Sequence, residues 1–362
     1  MKSICCENIT GLVAILAGVG LPLAGVAQES WTDSISFSGD LRPRYESIDE
    51  DGEEGRQRGR FRIRLGMTAD VNDNVRAIVR LASGGSNPVS TNQSFDGGFS
   101  RKDIGIDQAY VDWAPNDATH VYVGKMKNPF VRAGGHALIW DSDLNPEGVA
   151  LLWESGAFFA TAATLFVEER SSTDDSILFA VQGGAEFEVA GDSDLRVGAS
   201  YYDYSETIGN APFYDGNARG NTVDANGNLV FDYSQLEIFA EWSLKVGDMP
   251  LSVFADFVRN SDASTNDTGI AFGAQVGKAS APGSWQASWA WQDLEADAVI
   301  ATFTDSDFGG GGTDGSGHVL KAEYALAENW VLGGTLFLNE IEENIGNEHD
   351  YTRLQLDLEF SF

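Results

Sequence analysis

The chain has 362 residues, with 55 acidic against 23 basic side chains, a net charge of -32, 41 glycines, 9 tryptophans and 2 cysteines. A surface this acidic repels phosphate backbones and excludes general nucleic-acid binding. The mildly polar mean hydropathy excludes a bundle of membrane helices, each needing about 20 consecutive apolar residues, and a content of 43% hydrophobic and 11% aromatic residues exceeds what a solvated acidic coil carries.

The first element is a continuous apolar stretch from Ile9 to Ala27, opened by Lys2 and closed by Gly25-Val26-Ala27 ahead of polar Gln28. It reads as a secretory signal peptide, residues 1–27, cleaved after Ala27, with an uncleaved N-terminal membrane anchor as the alternative. Cys5 and Cys6 precede the apolar run and leave with it. The exported body, 28–362, then has no cysteine for disulfides or thiolate metal sites, which suits a Gram-negative envelope.

Beyond Gln28 the pattern is alternation rather than a helical period. Arg58, Arg60, Arg62 and Arg64 alternate with Gly59, Phe61, Ile63 and Leu65, and Leu354, Leu356, Leu358, Phe360 and Phe362 share one face opposite Arg353, Gln355, Asp357, Glu359 and Ser361. Sixteen strands are predicted, beginning near Ser34, Arg58, Asn74, Ile104, Ala118, Gly148, Gly156, Asp174, Ser193, Asp232, Met249, Asp267, Ser284, Gly317, Asn329 and Tyr351. A soluble sandwich also alternates, so the connections decide. Short turns at 71–74, 115–117, 155–156, 190–193, 247–248, 280–283 and 327–328 follow the even strands, and long loops such as 83–103, 127–147, 205–231 and 294–316 follow the odd ones. That sorting describes an all-β transmembrane antiparallel β-barrel with short periplasmic turns and long extracellular loops. Trp113, Trp153, Trp242, Trp285 and Trp330 cluster near the short turns, as an aromatic girdle requires.

The inward face is not uniformly acidic. Fourteen of the 23 basic residues lie between Arg42 and Arg132, and Arg42, Arg44, Arg58, Arg60, Arg62, Arg64, Arg76 and Arg80 share inward parity. Facing lipid, each would cost about 2 to 4 kcal/mol near the midplane. Two readings fit. The strip attracts anionic groups and shapes a field across a water-filled pore, or it braces the wall by pairing with inward carboxylates such as Asp40, Asp70 and Asp112.

The loop 127–147 carries Phe130, Val131, Leu138, Ile139 and Trp140, poor choices for a segment waving in solvent. It is expected to fold into the lumen as a constriction, with Lys127, Arg132, Asp141, Asp143 and Glu147 near the narrowest point. A loop packed over the mouth or against a neighbouring subunit is the alternative.

The same segment carries a family resemblance. Gly124-Lys125-Met126-Lys127-Asn128-Pro129-Phe130, followed by Leu138-Ile139-Trp140-Asp141-Ser142-Asp143-Leu144-Asn145-Pro146-Glu147-Gly148-Val149-Ala150, resembles the signature of a proteobacterial family of outer-membrane porins named for its architecture. The resemblance extends more loosely to Phe362, which looks like the carboxy-terminal aromatic read during barrel assembly. It implies passive diffusion of small hydrophilic solutes, contact with outer-membrane lipid and lipopolysaccharide, and, by analogy with sixteen-stranded porins, a homotrimer. It supplies no solute.

Tempting sites are discounted. His120, His136, His318 and His349 form no spacing suited to a catalytic pair or metal triad, and His349-Asp350 is the best candidate for a hydrolase dyad. The glycine run 309–312 lacks the context of a phosphate loop and reads as flexible. Asp224, Asn226 and Asn228 resemble a calcium loop without its bidentate acid. The expectation is a passive channel with no catalytic residue, cofactor or metal. Its rivals are a receptor or adhesin barrel with a plugged lumen and an outer-membrane hydrolase.

Overall fold

The computed structural model describes residues 34–189, 191 and 193–362, and the expected leader at 1–27 lies outside the described residues. The chain runs through β1 (Ile35–Glu50), β2 (Arg56–Asn72), β3 (Val75–Ser83), β4 (Gln93–Ser94), β5 (Ile104–Asn116), β6 (Thr119–Lys125), β7 (Glu147–Ser155), β8 (Phe158–Glu168) and β9 (Ser176–Glu188). It continues through β10 (Asp194–Tyr204), β11 (Tyr233–Val246), β12 (Met249–Asn260), β13 (Thr268–Gly277), β14 (Trp285–Leu294), β15 (Gly315–Ala327), β16 (Trp330–Ile341) and β17 (His349–Ser361). Neighbours pair antiparallel around the sheet and β1 pairs with β17, so no edge is left open. Closure is what lets a sheet sit in hydrocarbon, where an unpaired backbone donor or acceptor has no water to turn to.

Sixteen long strands form the wall. The two-residue β4 pairs with Arg60 and Phe61 of β2, beyond the point where β3 has left it. Every predicted strand start falls within two residues of the observed one. The long loops 84–103, 126–146, 205–232 and 295–314 all leave from the same end of the barrel, and tight turns such as 247–248 and 328–329 close the other.

Alternation sets the two faces. On β17, Leu354 and Leu356 are exposed outward while Arg353 and Gln355 are buried inward. On β2, Leu65 is exposed and Arg62 buried. All five tryptophans of the expected girdle, Trp113, Trp153, Trp242, Trp285 and Trp330, are exposed on the outside. The seam is sealed by reciprocal backbone bonds between Gly39 and Phe362, 2.8 and 3.0 Å. A Cβ at Gly39 would come within 2.7 Å of the Phe362 ring, so glycine is what lets that ring lie across the seam.

The buried apolar cluster lies inside the barrel. Met126, Phe130, Leu138, Ile139, Trp140 and Leu144 of one loop join Val299 and Ile300 of another against Leu178, Tyr202, Val258 and Leu294 of the wall. Leu151, at the middle of β7, is 46% exposed on the outer face. Leu151→Arg should therefore lower barrel stability by about 2 to 4 kcal/mol, read as a shifted urea midpoint in refolding into lipid vesicles, whereas Ser288→Arg on the lumen side should shift it far less.

Candidate functional site in the lumen

Strand register builds the basic wall. Across β1 and β2, Arg42 lies opposite Arg62 and Arg44 opposite Arg60, with Asp40 opposite Arg64 and Glu46 opposite Arg58. Like charges placed directly opposite repel, so this wall holds only because carboxylates interleave with the guanidiniums. Glu46, with no exposed surface, accepts from Arg353 Nη2 at 2.7 Å and Arg60 Nη1 at 3.3 Å. It also pairs with Arg58 and lies 3.5 Å from Arg44 Nη1. Asp357 accepts two bonds from Arg44, Nε and Nη2 both at 2.7 Å, the bidentate geometry that suits guanidinium and carboxylate. Asp40 takes Arg62 Nε at 2.9 Å and Arg64 Nε at 2.7 Å.

The wall stays basic after this pairing. Arg42, Arg44, Arg58, Arg60, Arg62, Arg64 and Arg353 meet four strand carboxylates, Asp40, Glu46, Asp357 and Glu359. Loop carboxylates make up part of the difference. Asp143 lies 3.6 Å from Arg64, and Asp307 lies 3.1 Å from Arg44 and 2.6 Å from Arg353.

Apolar side chains bring the loop 126–146 inward. Phe130 stacks on Trp140 at 5.9 Å, and both rings meet Tyr202 edge-on at 5.1 and 5.2 Å. Burial of each such ring or aliphatic chain contributes about 1.5 to 3 kcal/mol. Polar anchors fix the position. Val131 gives its N–H to Gln182 at 2.7 Å and takes the Gln182 amide at 3.0 Å. Gly134, at φ 60°, sits where a Cβ would come within 2.2 Å of Phe254. His136 bonds Gln292 at 2.8 Å, and burial pushes its imidazole down to about 4, so it is neutral.

A second inward loop, 295–314, was not foreseen. Asn221, from the loop 205–232, receives it by donating to the carbonyls of Ala296 and Val299 at 2.7 and 2.9 Å and accepting from Ala301 N at 2.9 Å. Phe303 then stacks between Phe213 and Trp140, 5.9 and 6.3 Å away. Asp141 ties the two inward loops together, its N–H donating to the Phe303 carbonyl and its carboxylate accepting from Ser306 N, both at 2.8 Å. Burial and the neighbouring acids Asp305 and Asp143 hold the Asp141 carboxyl well above the usual range. Asp305 is likewise pushed up to about 6 by burial and by Asp307. Asp307 goes the other way, because the pull of Arg353 and Arg44 outweighs its own burial.

The expectation of a flexible glycine run is corrected. Gly309, Gly310, Gly311 and Gly312 all have positive φ, but Phe308 beside them is buried, Gly309 N bonds Asn339 at 3.0 Å and the Gly312 carbonyl accepts from Thr304 at 2.9 Å. The glycines shape a tight, packed turn that backs the Arg219 carbonyl, 2.1 Å from where a Gly312 Cβ would stand.

Two cavities flank this junction. One of about 620 Å³ is lined by Arg58, Arg60, Arg219, Arg353 and Glu50, and one of about 530 Å³ by Arg42, Arg44, Ser142, Lys321 and Asp357. Asp307 lines both.

Of the residues singled out from sequence, Arg42, Arg44, Arg58, Arg60, Arg62, Arg64, Asp141 and Asp143 come together here. Arg76 instead pairs with Asp112, which also holds His120 at 2.7 Å, and Arg80 pairs with Asp107. Asp70, expected as a partner, is exposed at the short-turn end; Asp112 takes the arginine facing it. Lys127 is exposed. Arg132 braces its own loop by donating to the Trp140 carbonyl at 3.0 Å, and Glu147 bridges Lys125 at 3.0 Å. Glu46, Arg353, Asp305 and Asp307 were missed. The inward parity of Arg353 was visible, and the run Val299, Ile300, Phe303 signalled a second loop with reason to leave water.

The discounted sites have ordinary roles. His349 bonds the Asn347 carbonyl at 2.7 Å and Glu50 at 3.4 Å, while Asp350 next to it is exposed. Asp224 accepts from the backbone of Asn226 and Asn228 at 2.8 and 3.0 Å.

A protein-family profile described as "Putative porin" matches residues 48–225 and 221–362. Among solved structures, OprB of Pseudomonas putida superposes with a TM-score of 0.63 at 14% identity, over 91% of this chain and 95% of that one. A double mutant of the Rh. blastica porin gives 0.55 at 13%, over 91% and 100%. A loop-deletion mutant of OmpT, an outer-membrane protein of Vibrio cholerae, gives 0.53 at 12%, also over 91% and 100%. No curated protein sequence matches the chain.

Glu46→Gln should cost about 3 to 5 kcal/mol in a urea refolding titration, because Arg58 and Arg60 would then lose the one carboxylate they pair with among the described residues. The elevated Asp305 carboxyl binds its proton more tightly in the folded state. Its contribution is full below the ordinary carboxylate range and is lost as pH rises through about 6. Stability should thus fall between about pH 4 and pH 6 more steeply in the wild type than in Asp305→Asn; parallel slopes would contradict the assignment.

Proposed function

Because the chain belongs to the family described as "Putative porin", and is an outer-membrane porin barrel passing small solutes by diffusion, we propose that its selectivity is set where the loops 126–146 and 295–314 meet the arginine wall. The observation that carries this reading is Asp307, held by Arg44 and Arg353 and bordering the cavities on both sides. Two inward loops limit the size of a solute. Guanidiniums on β1, β2 and β17, set against Asp141, Asp143, Asp305 and Asp307 on the loops, impose a transverse field that orients polar solutes and slows apolar ones. Arg58, Arg60, Arg62 and Arg64 line the approach; Arg80, Arg132 and Glu147 position the loop 126–146, and Arg76 braces the wall at the short-turn end. The pathway needs no bond-making chemistry, cofactor or metal, and the assembly is a homotrimer in lipid and lipopolysaccharide.

One observation favours a second reading. Segments from four loops share a single buried cluster inside the barrel, including Val89, Trp140, Phe213 and Ile300, and a more complete filling would suit a plugged receptor. Single-channel recording in planar bilayers separates the two: folded protein without conductance would sink the channel. Given conductance, neutralising Arg60, Arg62 and Arg64 together should move the reversal potential in a salt gradient toward cation preference. Trp140→Ala should widen the pore, raising conductance and admitting larger neutral sugars in liposome swelling. Cross-linking in native membranes reads the trimer.

A further inference from the structure

Asp307 occupies a position that a solute could take. Arg44 keeps a bidentate partner in Asp357, 2.7 Å on both nitrogens, and Arg353 keeps Glu46 at 2.7 Å. Both guanidiniums are thereby held in place by strand residues whether or not Asp307 is present. What Asp307 adds is an oxyanion shared between them, from a side chain that borders open space on two sides. The loop behind it has its own anchors, buried Phe308 and the bond from Gly309 N to Asn339, so Asp307 is not what holds that loop in place.

We infer that Arg44 and Arg353 form a binding site for the oxyanionic group of a passing solute, a carboxylate or a phosphate, and that Asp307 is a built-in competing ligand for that site. The inference rests on the channel reading above and names the solute class. Three features support it. The wall carries more guanidiniums than strand carboxylates, so an anion arriving there restores balance. Buried Nε atoms of Arg42, Arg60 and Arg353 make no hydrogen bond to the described residues, and unmet buried donors are costly unless something fills them. An incoming oxyanion replaces Asp307 on the same two donors, and the displaced carboxylate keeps its charge and turns to the open space of the adjoining cavities. A neutral solute offers no such exchange and leaves Asp307 in place.

The full-length folded barrel, Asp307→Asn, and Asp262→Asn as an exposed-loop control test this by isothermal titration in detergent with acetate, inorganic phosphate and glucose. Removing the competitor raises the fraction of competent sites, so Asp307→Asn should bind at least one anion about tenfold more tightly than the wild type, with Asp262→Asn unchanged and glucose inert. A gain with phosphate alone assigns phosphate-bearing solutes, one with acetate alone carboxylates, and both outcomes support the site. Equal affinity in wild type and Asp307→Asn, or no binding of either anion to both, overturns it. In bilayers the same variant should become more anion-selective. The affinity gain without any conductance would retain the site and overturn the channel.

Discussion

Neutralisation of a guanidinium-rich wall inside a closed barrel is the constraint on which the rest of the lumen depends. Closure leaves the arginines of β1 and β2 two directions, lipid or lumen, and lipid is excluded by the cost of a charge in hydrocarbon. Inside, they repel across the strands. Glu46 resolves much of that repulsion from one position, reaching partners on its own strand, on β2 and on β17. The carboxylates that the strands lack are brought by the loops. The inward fold of 126–146 and 295–314 is therefore electrostatic as well as hydrophobic, with Trp140 and Phe303 supplying the anchorage and Asp143 and Asp307 the charge.

That division explains how one structure can be both rigid and permeable. The apolar contacts of the loops face the half of the wall built from β7 to β14, and the charged contacts face β1, β2 and β17. Between the two lie cavities lined by polar side chains. On the proposed pathway a solute would meet fixed dipoles and charges that need little rearrangement, as discrimination without slow gating requires.

Much of the fold was legible because a strand in a barrel wall must alternate: Leu354 and Leu356 could face only lipid once Arg353 and Gln355 faced water. The loop 126–146 was legible from Phe130 and Trp140, which have no place in solvent. The hub at Glu46 was not, since its partners are fixed by register between distant strands and a single glutamate on β1 looks like any other. The loop 295–314 was legible only in part: Val299, Ile300 and Phe303 carry an apolar signal, but small Ala296 and Ala298 and the adjoining glycine run dilute it. Charge alone could not show that Arg76 and Arg80 belong to a different set of pairs from Arg60 and Arg64; the partners Asp112 and Asp107 sit on β5, one strand away.

The cluster of loop and wall residues around Trp140, Tyr202 and Phe303 gives this barrel two apolar regions of different origin. The outer one is completed by lipid, whereas the inner one is completed by the protein itself and excludes the water of the lumen. The inner region draws its wall residues from β7 to β14, so it packs only against strands already in register. Its stability is then separable from that of the cylinder. Melting the loop cluster while the wall stands would leave a broader and less discriminating hole, so selectivity rests on the inner region and the hole itself on the outer.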